Sequence, residues 1–167
     1  MEKNKGGEDR MKKIIIFLAV IIILFGGVAL LTKMQNDQKV SGDNPYGTTD
    51  LEQETIDQLD DPNYSNIVLP EDLESQLSES GEATVYFFSP TCPHCQRTTP
   101  IVAPLSDDLG VDLLQYNLLE FDQGWNDFGI SETPTIVHYE DGKEVARITG
   151  YQEEAVFQDW FEENVTE

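Results

Sequence analysis

The chain holds two cysteines, Cys92 and Cys95, set two residues apart in the stretch "SPTCPHCQ". Sulfur at that spacing supports three kinds of chemistry. A Cys92–Cys95 disulfide would act as a staple, but the loop it closes is so small that it hardly constrains the unfolded chain. A domain of about a hundred residues also folds without one. Two thiolates, with His94 between them, are soft donors that suit Cu(I). The third chemistry is reversible oxidation, in which one thiolate attacks a partner's sulfur and the other resolves the mixed disulfide.

The residues around the pair bear on this choice. A helix is expected to begin at the motif and to run towards Leu109, bent by Pro100 or Pro104. Cys92 then sits at the helix amino end, where unpaired N–H groups and the helix dipole favour a thiolate. Pro93 suits the first turn, where a missing N–H costs nothing. His94 is placed to add a donor or a positive charge near that sulfur. Cys95 follows one turn further on the same face and is expected to be more buried. Cys92 is thus the expected attacking sulfur and Cys95 the resolving one.

Several elements must hold the motif. "ATVYFFS" before it is rich in β-branched and aromatic residues and reads as a buried strand. "LPEDLESQLSES" spaces Leu69, Leu73 and Leu77 by four with acids in the first turn, an amphipathic helix. "VDLLQYNL" reads as a second strand and "DQGWNDFG" as a short helical segment. "TIVHYEDGKEVARITG" is a hairpin turning at Asp141-Gly142. "QEEAVFQDWFEENV" closes the chain as a helix with Ala155, Val156, Trp160 and Phe161 on one face. The order is α-β-α-β-α-β-β-α, an α/β fold with a mixed sheet and helices on both sides. Trp125 and Trp160 read as packing residues, and His138 as a structural strand residue.

The amino terminus is of another kind. Residues 14–31 form an uninterrupted apolar run of the length expected of a membrane-spanning helix. Lys3, Lys5, Arg10, Lys12 and Lys13 precede it, while only Lys33 and Lys39 follow closely. That bias puts residues 1–13 in the cytoplasm and everything beyond the span outside the cell membrane. Gly27-Val28-Ala29 would suit a signal-cleavage site, yet the apolar run continues past it, which favours an uncleaved anchor. No cysteine follows the run to carry a lipid. Residues 32–66 are polar and acidic and read as a spacer with a short helical turn around Leu51 to Leu59, leaving 67–167 as the folded domain. The formal charge is −22, and residues 1–31 contribute +2, so the rest carries −24. Nucleic acid and anionic membrane surfaces would repel such a domain. The acidic doublets lack calcium-loop spacing.

The order of elements, "CPHC" after a hydrophobic strand, Pro100 five residues beyond Cys95, and "TPT" at Thr133-Pro134-Thr135 together resemble the thioredoxin fold over about residues 67 to 165. The resemblance implies a central four-stranded mixed sheet flanked by helices, here preceded by one transmembrane helix. "CPHC" is similar to the active site of DsbA-type disulfide oxidases. Those carry a helical domain between the motif and the proline, and the 42 positions from Cys92 to Pro134 leave no room for it. The resemblance also implies a cis bond before Pro134, beside the cysteines. Ser131, Glu132 and Thr133 would then offer backbone groups to an extended client strand.

Two departures matter. Thioredoxin-like proteins commonly carry a buried acid six residues before the first cysteine and a lysine in the facing strand; here those positions hold Tyr86 and Gln115. Deprotonation of Cys95 is therefore expected to depend on water or His94, and resolution to be slow. The expected function is thiol–disulfide exchange on extracytoplasmic protein clients, without a cofactor or resident metal. Its partners would be proteins bearing thiols or disulfides, plus a membrane redox protein that resets the pair. His94 and Pro93 favour oxidation of clients. Running the same chemistry as a reductant, for instance in cytochrome c maturation, is the first alternative, and a Cu(I)-binding module the second.

Overall fold

The structure is a computed structural model that describes residues 5–41 and 44–166. Lys3 of the basic flank, residues 42 and 43 of the expected spacer, and Glu167 at the end of the expected domain lie outside them. The chain divides into two units, Met1–Gly42 and Asp43–Glu167.

In the first unit one helix, α1, spans Lys5–Val40. Its apolar residues point outwards on every side, with Ile14, Phe17, Ile22, Phe25 and Leu30 all more than half exposed. A helix apolar all round has no face to give to a water-soluble core. It is long and apolar enough to cross a membrane.

The second unit contains short α2 (Gln53–Ile56), a 3-10 turn (Pro62–Tyr64), α3 (Pro70–Glu79), β1 (Ala83–Phe88), α4 (Pro93–Leu109), β2 (Leu113–Asn117), short α5 (Gly124–Asp127), β3 (Thr135–Glu140), β4 (Lys143–Thr149) and α6 (Glu154–Asn164). The sheet order is β2-β1-β3-β4. β1 pairs parallel with β2 and antiparallel with β3, and β3 pairs antiparallel with β4. This is the thioredoxin fold expected from the order of elements. β1 lies inside the sheet and is buried along its whole length, which is why its sequence is a continuous apolar run rather than an alternation. Val85 and Phe87 face one layer with Leu73, Tyr116 and Val137. Tyr86 and Phe88 face the other, with Cys95, Val102, Ile136, Phe157 and Phe161. Asp141 and Gly142 both take positive φ, the two-residue turn whose twist matches the flanking strands.

Helix α4 runs unbroken through Pro100 and Pro104. Each proline removes one hydrogen bond, to the carbonyls of Gln96 and Pro100 respectively. Burial of Val102 and Leu105 opposes that loss.

Two expectations differ from the structure. On α6 the buried residues are Phe157 and Phe161, whereas Ala155 and Val156 are exposed and Trp160 is half-buried. The helix packs its i, i+4 aromatic pair, the spacing that meets on one face. The expected spacer 32–66 is also not uniform. Residues 32–40 continue α1, and residues 44–66 belong with the folded unit. Asn117, fully buried, donates through Nδ2 to the Tyr46 hydroxyl at 3.0 Å and to Thr55 Oγ1 at 3.1 Å. Its Oδ1 accepts from the Leu119 N–H at 3.0 Å. Ile67 bridges Gln115 in parallel and covers the outer edge of β2. Low apolar content hid this, because the attachment is mainly polar.

Asn117→Ala takes this partner from two buried hydroxyls, of Tyr46 and Thr55, and from the half-buried Leu119 N–H, and is expected to cost about 2–3 kcal/mol. Urea unfolding of the full chain, with faster proteolysis between residues 44 and 60, reads the loss.

Candidate active site

The Cys92 backbone is extended, with φ −83° and ψ 116°, and caps α4 by accepting from the Cys95 N–H at 3.4 Å. The Cys92 N–H donates to the Ser89 carbonyl at 3.0 Å, so β1 leads directly into the cap. Both cysteines are free thiols; Cys92 is half-buried and Cys95 is sealed inside. The Cys92 thiol donates to the Thr133 carbonyl at 3.4 Å. The Thr133–Pro134 peptide is cis, and Pro134 is buried, with its carbonyl taken by the Gly150 N–H at 2.8 Å.

The two sulfurs are driven apart in acidity. Burial alone would raise the Cys92 thiol. Side-chain hydrogen bonds with Thr133 and Cys95 and the backbone N–H groups of Cys95 and His94 outweigh it, and its pKa falls below the ordinary 9.0. Burial pushes the Cys95 thiol up to about 12. This is the asymmetry expected of an attacking and a resolving sulfur.

Behind Cys95 the wall is neutral. Tyr86 is fully buried, its hydroxyl 3.0 Å from Thr99 Oγ1 and 3.5 Å from the Cys95 carbonyl. Thr99 Oγ1 donates its one proton to the Cys95 carbonyl at 2.9 Å, so the Tyr86 hydroxyl donates to Thr99. Burial holds the Tyr86 pKa well above 10.0, and it stays protonated. Gln115 is the β2 partner of Tyr86 and sends its amide to the Asn63 carbonyl at 2.7 Å.

Other expected site residues are distributed differently. His94 is exposed; its backbone N–H helps to lower the Cys92 pKa, while its ring Nδ1 lies 2.8 Å from Arg97 Nη2. Arg97 is itself exposed, with its guanidinium 4.7 Å from the centroid of the Tyr151 ring. Ser131 and Glu132 are exposed on the loop before Pro134. The Glu132 carbonyl accepts from Thr135 Oγ1 at 2.9 Å, which leaves less for a client. Among the described residues, the Thr133 N–H and the Ser131 carbonyl have no hydrogen-bond partner. His138 is buried against Thr84 Oγ1 at 2.9 Å, a cross-strand contact. Among the described residues, no three His, Cys, Asp or Glu gather to hold a metal.

Arg97, Thr99 and Tyr151 were missed from the sequence. Helical spacing offered a signal for two of them, Arg97 three residues after His94 and Thr99 four after Cys95. Nothing local points to Tyr151, which the fold brings in from elsewhere.

A thioredoxin fold that caps α4 with a half-buried thiol and seals a second one turn later defines a class of thiol–disulfide oxidoreductases. The thioredoxin family model matches residues 65–163, more than half the chain, and the chain belongs to that family. It is 33% identical over 75 residues to thioredoxin of Chlamydia muridarum, covering 44% of this chain and 74% of that one. It is 28% identical over 121 residues to a thioredoxin domain-containing protein 5 homolog of Drosophila melanogaster, across 70% of this chain but only 29% of that longer relative. Among solved structures, a mutant thioredoxin of Halobacterium salinarum superposes with a TM-score of 0.54 at 24% identity, over 64% of this chain and 94% of that one. Thioredoxin of Nicotiana alata superposes with 0.53 at 19%, over 60% and 93%. The two superpositions show the fold.

Proposed function

We propose that the protein is a membrane-anchored thiol–disulfide oxidoreductase that oxidises extracytoplasmic protein clients through Cys92 and Cys95. The observation that carries this reading is the opposed acidity of the two sulfurs, one lowered and accessible, the other raised and sealed. A client thiolate attacks Cys92 Sγ of the oxidised pair. The Cys92–Cys95 bond breaks, and its electron pair and a proton go to Cys95. A second client thiolate then attacks the client sulfur bound to Cys92. Cys92 leaves as the thiolate that its hydrogen bonds favour. The client ends with a disulfide and the enzyme with two thiols, which a membrane redox partner must reoxidise. Residues 14–31 are the anchor, with residues 1–13 cytoplasmic and the folded unit outside. Pro93, His94 and Pro134 frame the exchanging sulfur, and Thr133 with Ser131 offers backbone groups to the client; the Glu132 carbonyl is the weaker of the three.

Stabilising the Cys92 thiolate stabilises the reduced pair and makes the disulfide a stronger oxidant. Similarity to thioredoxins favours the reductive direction as a second reading. The reduction potential of the full chain, equilibrated against glutathione buffers, separates the two. A value near about −120 mV supports oxidation of clients, and one near about −270 mV supports reduction. Labelling of Cys92 in intact cells by a membrane-impermeant maleimide tests the orientation.

A further inference from the structure

Among the described residues of the folded unit, Lys and Arg occur at Arg97, Lys143 and Arg147, in a field of Asp and Glu. Two of the three are placed elsewhere. Arg147 is clasped by Glu144, with Nε 2.8 Å from Oε1 and Nη2 2.7 Å from Oε2. Lys143 opens β4 beside the Asp141-Gly142 turn, at the other end of β3 from Pro134. Arg97 has no carboxylate partner among the described residues.

Arg97 is nonetheless held. Its guanidinium lies over the Tyr151 ring at 4.7 Å, and Nη2 donates to His94 Nδ1 at 2.8 Å, since arginine has no acceptor. Both anchors belong to the rim of the reactive sulfur. His94 sits two residues from Cys92, in the first turn of the helix that Cys92 caps. Tyr151 follows Gly150, whose N–H is bonded to the Pro134 carbonyl at 2.8 Å, and the neighbouring Thr133 carbonyl takes the Cys92 thiol. The contacts thus close a ring around Cys92, and the one cation on it is pre-positioned. A guanidinium with one N–H spent on His94 keeps further donors in the fork geometry that matches a carboxylate. Immobilising such a side chain in advance lowers the entropy lost when a ligand binds.

We propose that Arg97 is a substrate-recognition residue that binds a carboxylate carried beside the reacting sulfur of the thiol client. The inference rests on thiol–disulfide exchange at Cys92. The wider field of the domain repels acidic clients, so a preference for them can arise only locally. Exchange is read by mixing the oxidised full chain in detergent with two dithiol peptides, identical except for Glu or Gln beside the first cysteine. Mercaptopropionate and mercaptoethanol form a second pair, which tells a small thiol carboxylate from a peptide one. For each substrate the readout is the rate of the wild type divided by that of Arg97→Gln.

The ratio for the acidic member is expected to exceed that for the neutral member by about three- to five-fold, as one exposed charge pair provides. The excess should shrink with added salt, and Arg97→Lys should recover part of it. An excess in the peptide pair alone assigns the site to protein clients, and an excess in both assigns it to any carboxylate near the sulfur. Equal ratios for acidic and neutral members overturn the role of Arg97, because a merely structural residue would slow both alike. If the wild type exchanges with none of the four thiols, the exchange reading fails and this inference fails with it.

Discussion

Cys95→Ser is expected to convert the protein from a turning-over exchanger into a trap, with turnover falling to background and a mixed disulfide accumulating at Cys92. The helix cap and the hydrogen bonds that lower the Cys92 pKa remain largely in place, so when the reduced variant meets a disulfide-bonded client, Cys92 still attacks one client sulfur and expels the other as a thiolate. In that direction of the exchange Cys95 is the sulfur that would release the client, and it is gone. A band that appears on non-reducing gels and collapses with dithiothreitol is the expected result; persistent turnover without that band would overturn the assignment of the resolving role. Cys92→Ser should show neither turnover nor trapping.

The same asymmetry sets a pH dependence. A thiol raised from 9.0 to about 12 carries about a thousandfold less thiolate than an ordinary cysteine at any pH well below 9. Iodoacetamide at neutral pH should therefore modify Cys92 and leave Cys95 intact until the chain is unfolded. Stability follows with opposite signs. The folded state keeps the Cys95 proton that the unfolded chain releases, so the reduced protein loses stability as pH rises from about 9 towards 12. The folded state releases the Cys92 proton early. That contribution is present above 9.0 and is lost as pH falls through the lowered pKa. Thermal unfolding of the reduced chain across this range, with the oxidised chain as reference, checks both signs.

Gly81→Ala should be the most damaging of the small substitutions, costing about 3 kcal/mol from left-handed strain and overpacking together. Gly81 has φ +73°, and a Cβ there would lie 2.8 Å from Asp141 Cα and 2.9 Å from the Gly142 nitrogen. Its carbonyl accepts from the Gly142 N–H at 2.8 Å. The obstacle is backbone and cannot rotate away. The β3–β4 turn would have to shift, and with it the strand that begins at Thr135 beside Pro134. Urea denaturation of the full chain measures the loss; a change below about 0.5 kcal/mol would show that the turn yields freely.

Most elements were legible because each carries a local signal. The β1 run, the leucines of α3 and the Asp141-Gly142 turn each imply their conformation from neighbours a few residues away. α6 was misread on its buried face because Ala155 and Val156 compete with Phe157 in the pattern, and only the room between α4 and the sheet decides which side chain fits. The spacer was misread for a related reason: Tyr46 and Thr55 are attached through Asn117, and sequence distance conceals a hydrogen-bonded knot of this kind.

The amino-acid sequence alone determined that an apolar helix precedes an α/β unit, that two cysteines share the first turn of a helix after a buried strand, and that Tyr86 stands where family members commonly keep an acid. The first two are consequences of local propensity, hydrophobic period and helix geometry, and the third follows from the resemblance to thioredoxin-like proteins. Tertiary structure decided what long-range packing decides. It seals Cys95 while leaving Cys92 accessible, because the sheet and α6 cover one side of α4 and not its tip. It brings Thr133 to the Cys92 sulfur across 41 residues. It also turns the His94 ring away to Arg97 and lays Arg97 on Tyr151, contacts set by where the loop after β4 returns to the helix.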